Sequence, residues 1–318
     1  MNIVQFNQIK GALYGVAVGD ALGAPLEFMS AEEIRQRHGH VSEMIGGGWL
    51  NVRPGEITDD TQMTLCVARG ILAAPEAPVK EIGKQFIEWL RTGPKDVGGT
   101  CSSSIRRAIS HGGDAPSPVD WLTASKETDM ATGGRSGGNG SLMRTVYVPC
   151  YYYEDDDIRR KAKDISTMTH YDPVAAEACM VYCRVIGNIL NKRKYYTRWQ
   201  YLMETVYHSR FAEALRPTFQ PNPTGYVVDS MNAAIWSVNK SRYQHDAFRV
   251  AIETAVNLGG DADTIGAITG GIAGALYGYS RIPESWVELL DADLRAELDA
   301  MALEAELTRE QAKREQAS

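Results

Sequence analysis

Glycine recurs every fourth residue in two places, at Gly11, Gly15, Gly19 and Gly23 and again at Gly266, Gly270, Gly274 and Gly278. Both runs are mostly apolar besides and helical in period. Each interior glycine costs a helix about 1 kcal/mol relative to alanine, so two such runs persist only where something offsets the loss. Residues four apart share one helix face, and a face without side chains lets another backbone pack along it. The pattern predicts two smooth-faced central helices, packed on each other, that bring the loops at their ends together.

Apolar residues keep a helical period over 7–22, 61–73, 78–90, 102–110, 173–191, 198–213, 227–237, 246–257, 264–278 and 284–307. Thr145–Tyr153 is the one strand-like run, and it equally fits a helix entering a loop. The expected class is all-α: a compact single-domain helical bundle with long functional loops. The catalytic domain would span 1–307, followed by a charged, frayed tail over 308–318. Leu290, Leu294, Leu298 and Met301 form an apolar stripe, read as a helix docked on the body, with a dimer contact as the alternative.

Composition narrows the partners. The chain has 318 residues, 44% of them hydrophobic, and a net charge of -7, so it lacks the clustered basic face that nucleic acid requires. No run reaches the ~18 consecutive apolar residues of a membrane span. The N-terminus lacks a basic region followed by an apolar core, so no signal peptide is expected. Cys66, Cys101, Cys150, Cys179 and Cys183 are odd in number and show no CxxC spacing. They read as packed thiols in a reducing cytoplasm.

Two acidic clusters stand immediately before predicted helices. One is Thr58-Asp59-Asp60-Thr61; the other is Asp261-Ala262-Asp263-Thr264. A single Asp at a helix start is usually a cap. One helix start needs about one cap, however, and each cluster has two carboxylates and a hydroxyl. The helix dipole offsets only about half a charge, so surplus acids repel unless a cation neutralises them. Carboxylates and hydroxyls suit Mg²⁺ or Mn²⁺. Two such corners brought together could hold two ions ~3.5–4 Å apart.

These motifs carry a resemblance. GALYGVAVGDALGAPLEF at 11–28, ITDDTQM at 57–63, GGNGSLMR at 137–144, THYDP at 169–173, TGYVVDSMNAAIW at 224–236 and NLGGDADTIGAITGGIAGALYG at 257–278 resemble the ADP-ribosylglycohydrolase family, most closely its nitrogenase-linked bacterial branch. The resemblance spans roughly residues 8 to 287. It implies an all-α hydrolase with two Mg²⁺ or Mn²⁺ ions, removing ADP-ribose from a modified protein, most readily from arginine. It makes Thr58, Asp59, Asp60, Asp261, Asp263 and Thr264 the metal ligands. It places Glu27 at or near the metals and makes Asp96 a catalytic aspartate, where a surface acid and a turn or capping aspartate are the plainer readings. A water acidified by the cations would attack the anomeric carbon while Asp60 or Asp96 takes the proton; ring opening is an alternative first step.

The glycine-rich stretch TGGRSGGNG at 132–140 precedes a helix expected from Ser141. It has no Gly-Lys-Ser/Thr and no surrounding βαβ unit, which excludes a Walker motif and a Rossmann fingerprint. It reads either as a connector or as a nest of N–H groups for phosphate. The resemblance favours a pyrophosphate cradle of Gly137, Gly138, Asn139, Gly140 and Ser141. It also puts His170 beside the phosphate or ribose, as a binding group, and Tyr226 near the nucleotide. Three rivals stand beside this reading: another two-metal hydrolase such as a phosphoesterase, a non-catalytic binder of ADP-ribose or a partner protein, and an immunity protein countering a toxin ADP-ribosyltransferase by hydrolysis or blockade.

Overall fold

The structure is a computed structural model that describes residues 2–191 and 196–317. Its helices are α1 (Ile3–Gly23), α2 (Ala31–His38), α3 (Asp59–Ala73), α4 (Val79–Arg91), α5 (Gly99–Gly112), α6 (Pro118–Ala131), α7 (Tyr147–Tyr151), α8 (Asp155–Thr167), α9 (Pro173–Leu190), α10 (Arg198–Tyr207), α11 (Val227–Ser241), α12 (Ala247–Val256), α13 (Ala262–Tyr277), α14 (Glu284–Leu289) and α15 (Ala292–Ala317). Among the described residues no strand forms, only isolated bridges such as Gly138 with Tyr226. The chain is all-α.

The two glycine helices, α1 and α13, are the axis. A Cβ on Gly11 would lie 2.4 Å from the Gly274 carbonyl oxygen, one on Gly15 2.0 Å from that of Gly270, and one on Gly19 2.1 Å from that of Gly266. Each step of four forward on α1 is a step of four back on α13, so the helices are antiparallel. Their backbones touch over three turns, and only glycine permits that. The last residue of the second run differs: Gly278 ends α13 with φ 86° and ψ 162°, a backbone conformation open to glycine.

Antiparallel packing sets the C-terminal end of α1 against the N-terminal end of α13, where Gly23 meets Ala262 and Asp263. Glu27, just past α1, therefore reaches the second acidic cluster. The N-terminus of α3 docks beside Asp20 of α1 and brings the first cluster to the same end.

Several expectations change. The run at 284–307 breaks at Leu290-Asp291, because the Asp291 carboxylate caps a new helix by accepting from the Asp293 and Leu294 N–H groups. The tail is not frayed from residue 308. Helix α15 runs on to Ala317, and Arg309 is fully buried, donating to the Pro149 and Tyr152 carbonyls and to Asn191; Ser318 lies outside the described residues. The run at 198–213 stops at Tyr207 and resumes as a 3-10 turn, Arg210–Leu215. Thr145–Tyr153 contains the short helix α7 rather than a strand. The stripe Leu290, Leu294, Leu298 and Met301 is buried by its own chain. Pro173–Leu190 is long and apolar enough to cross a membrane, yet 61% of it is buried inside the protein.

Candidate functional site

At the shared end of α1, α3 and α13 a cleft of about 220 Å³ is lined by Glu27, Asp59, Asp96, Gly98–Cys101, Gly138–Gly140, Met143, His170, Gly225, Asp261, Asp263 and Thr264. A larger hollow of about 440 Å³ lies between Arg53–Ile57 with Gln62 on one side and Leu289, Asp291 and Glu297 on the other. It gathers no comparable set of buried titratable groups, so the chemistry belongs to the smaller cleft.

The plain capping explanation of the two acidic clusters does not hold. Neither Thr58 nor Asp261 caps its helix through its side chain. For α3 the cap comes from another helix. Asp20 of α1, fully buried, accepts from the Thr58 N–H at 3.1 Å, the Thr58 hydroxyl at 2.8 Å, the Thr61 N–H at 3.1 Å and the Thr61 hydroxyl at 2.5 Å. Asp59 and Asp60 are thereby released from capping. The Thr58 proton is engaged by Asp20, which leaves the oxygen lone pairs of Thr58 available. A lone acid inside the apolar α1 run was the sequence signal for Asp20, since a buried charge is always informative.

The two clusters meet at Asp60. Its Oδ2 lies 3.3 Å from the hydroxyl oxygens of both Thr58 and Thr264, and its buried Oδ1 has no hydrogen-bond partner. One carboxylate oxygen each from Glu27, Asp261 and Asp263 lie within 4.8 Å of one another. Burial, then the neighbouring acids, push the carboxyls of Asp59, Asp60 and Asp263 well above the usual range. Burial likewise raises Glu27 to about 7 and Asp20 to about 6. Five buried carboxyls, an orphaned oxygen and no lysine or arginine among the lining residues make a donor set of hard oxygens lacking a counter-charge. Divalent Mg²⁺ or Mn²⁺ fits that set.

Asp96, half-buried, lines the cleft near Asp59; burial raises its pKa, and its charge in turn raises that of Asp59. The Trp49 indole N–H donates to Glu27 at 2.6 Å. Asn139 donates to Asp261 at 2.7 Å and to Ser230 at 2.9 Å, tying the glycine-rich loop to the second acidic cluster.

The glycine-rich loop needs two corrections. No helix starts at Ser141: residues 141–144 are turns, and α7 begins at Tyr147. Besides those of α3 and α13, the helix N-terminus that opens on the cleft is that of α5, at Gly98, Gly99 and Thr100. Ser141 lies behind the cleft, its side chain fully buried against Ser166 and Cys179. Gly138, Asn139 and Gly140 line the cleft, whereas Gly137 pairs with Val227 through its carbonyl. Tyr226 is 46% exposed and sits against Gly137 at the edge.

His170 is buried, and burial, then Arg144, drop its pKa to about 3. It is neutral. Arg144 donates to the Thr169 hydroxyl oxygen at 2.7 Å, and that hydroxyl is hydrogen-bonded to His170 Nδ1 at 2.8 Å. Nε2 is the ring nitrogen nearest Gly138 and Gly140, facing the loop. Arg144 also donates to the Gly140 carbonyl at 2.9 Å, so one buried guanidinium sets both the loop and the histidine.

The sequence profile of the family described as ADP-ribosylglycohydrolase matches residues 1–317. The chain is similar to the ADP-ribosyl-[dinitrogen reductase] glycohydrolase of Rhodospirillum rubrum, 33% identical over 296 residues, covering 92% of this chain and 94% of that protein. It is also similar to the ADP-ribosylarginine hydrolase Tri1 of Serratia proteamaculans (strain 568), 31% identical over 312 residues, covering 89% and 75% respectively. A solved structure titled ADP-ribosylglycohydrolase-related protein complex superposes with a TM-score of 0.77 at 29% identity, over 96% of this chain and 99% of that one.

Proposed function

Since the chain belongs to the ADP-ribosylglycohydrolase family, whose members are glycosidic hydrolases, we propose that it removes ADP-ribose from arginine on a modified protein with the help of two divalent ions. The observation that carries this reading is the meeting of the two acidic clusters at Asp60, with its unpartnered buried oxygen. Thr58, Asp59, Asp60, Asp261, Asp263 and Thr264 would hold the ions, with Glu27 at their edge. Bound Mg²⁺ or Mn²⁺ supplies charge neutralisation and makes water more acidic.

The protein's own groups do the rest. Nε2 of His170 hydrogen-bonds a polar group of the ligand, and the Gly138–Gly140 backbone with the α5 N-terminus suits phosphate oxygens. Asp60 or Asp96 accepts the proton of the attacking water. The other carboxylates stabilise positive charge developing on the ribose as the acceptor leaves. Arginine is supported by the names of the relatives above and by the acidic mouth, since a guanidinium leaving group is attracted to carboxylates that the ions do not neutralise. Asp96 is the acid best placed for that.

The test is incubation with Arg-, Ser- and Glu-linked ADP-ribosyl peptides, each with Mg²⁺, Mn²⁺ or chelator, followed by chromatography of the products. Release of ADP-ribose from the arginine linkage is expected. Release of phosphate would indicate a phosphoesterase instead, and faster cleavage of the serine linkage would refute the choice of acceptor.

A further inference from the structure

Two large aromatic side chains stand in solvent beside the acids. Phe28 is 69% exposed and Trp49 52%, with ring centroids 5.4 Å apart and planes tilted by 43°. Exposed apolar rings flanking a polar cleft mark interaction sites more often than accident.

Both rings are held by construction. Trp49 lies in the turn Gly48–Asn51, closed by hydrogen bonds between Gly47 and Val52 at 2.7 and 2.9 Å. Leu50 and Val52 anchor the turn in a small buried cluster with Ala24. Gly48 has φ 68°, and a Cβ there would lie 2.8 Å from the backbone of Pro25; Asn51 has φ 49°. The indole is further tied to Glu27. Phe28 has φ 62°, a rare conformation for a bulky residue, fixed by its N–H to the Gly260 carbonyl at 2.7 Å. Left-handed non-glycine residues persist where the surroundings over-determine them, and they cluster at ligand-contact sites.

We propose that Phe28 and Trp49 form the seat of the acceptor arginine, with its guanidinium lying against the rings and facing the carboxylates of the cleft mouth. Three observations choose this occupant. The rings adjoin Glu27, at the edge of the proposed ion site, and Asp96 lines the same cleft. A guanidinium is planar, weakly hydrated and cationic, so it satisfies an aromatic face and a carboxylate at once. The glycine-rich loop has an aromatic of its own, Tyr226, which packs against Gly137 and leaves the Glu27 side to the acceptor. A serine acceptor offers neither charge nor plane. The proposal rests on the arginine reading above and adds the residues that select for it.

The test compares wild type, Phe28→Leu, Phe28→Tyr and Trp49→Phe on an ADP-ribosyl-arginine peptide, with free ADP-ribose as a competitive inhibitor and thermal melting as a check on folding. Phe28→Leu should raise KM about three- to tenfold, the range expected for loss of a cation–π contact, with the inhibition constant of ADP-ribose within about twofold of wild type. Phe28→Tyr should restore KM. Trp49→Phe, which keeps a ring but loses the bond to Glu27, should retain most of the selectivity for arginine over free ADP-ribose. An unchanged KM in Phe28→Leu overturns the proposal. A parallel rise in the ADP-ribose inhibition constant also overturns it, because the rings would then hold the nucleotide. A wild-type enzyme that ignores the arginine linkage removes the acceptor reading itself, a distinct failure visible before any variant is made.

Discussion

A Cβ on Gly15 would sit 2.0 Å from the carbonyl oxygen of Gly270, and one on Gly270 would sit 1.9 Å from that of Gly15. The contact is reciprocal and backbone to backbone, so no rotamer change relieves it. Gly15→Ala or Gly270→Ala should destabilise the fold by about 4 kcal/mol or more, the range reserved for severe core disruption. Gly99→Ala, with nothing within 4 Å of its Cβ, should leave stability unchanged or slightly raised. Denaturant unfolding of the three variants checks this.

Asp263→Asn keeps the shape of a buried side chain while removing one of the mutually repelling acids. In chelator, its melting temperature should hold or rise by roughly 1–2 °C, the shift that about 1 kcal/mol produces in a chain of 318 residues. With millimolar Mg²⁺ or Mn²⁺, wild type should be stabilised by mass action and the variant should not. A variant that melts far below wild type in chelator would make Asp263 chiefly structural.

The buried His170 has a folded pKa of about 3 against about 6.5 when unfolded. Between those values the unfolded chain binds the extra proton, so stability rises with pH. Its contribution is complete above pH ~6.5 and is lost as pH falls toward 3. From pH 7 to 5 the loss is about 2 kcal/mol. His170→Gln should lack this component, so the wild-type minus variant difference in unfolding free energy should shrink or reverse by about that amount on acidification. Equal pH dependence in both proteins would mean that the imidazole charges within the fold.

Asp96→Asn removes a half-buried carboxylate that lines the cleft near Asp59. Turnover of the arginine-linked substrate should fall at least about tenfold, as for a lost acid–base group, with ADP-ribose affinity nearly intact. Steady-state kinetics beside calorimetry separate the two quantities, and unchanged turnover would remove Asp96 from the chemistry.

Much of this architecture was legible because the glycine spacing constrains packing so tightly: a residue-free stripe on each of two helices leaves few other partners. What escaped the apolar period was local. Helices α2 and α6 begin on capping boxes, Ser30 with Glu33 and Ser117 with Asp120, a signal that apolar periodicity overlooks. The metal-site candidates were visible as surplus carboxylates, whereas the roles of Asp20, Trp49 and Arg144 depend on contacts dozens of residues apart in sequence. The helix expected at Ser141 fails because Arg144 and Ser141 are drawn into buried side-chain contacts within a turn, which no local propensity reveals.

The central claim is that the two acidic clusters form one two-ion centre that drives hydrolysis. The most direct measurement is a titration of metal-free protein with Mn²⁺, following ADP-ribose release from an arginine-linked peptide and the Mn²⁺ electron paramagnetic resonance signal together. Turnover should be negligible in chelator and plateau at about two equivalents, with the spectrum of a coupled pair. Full turnover in chelator, or a plateau at one equivalent with an isolated-ion spectrum, would contradict the account.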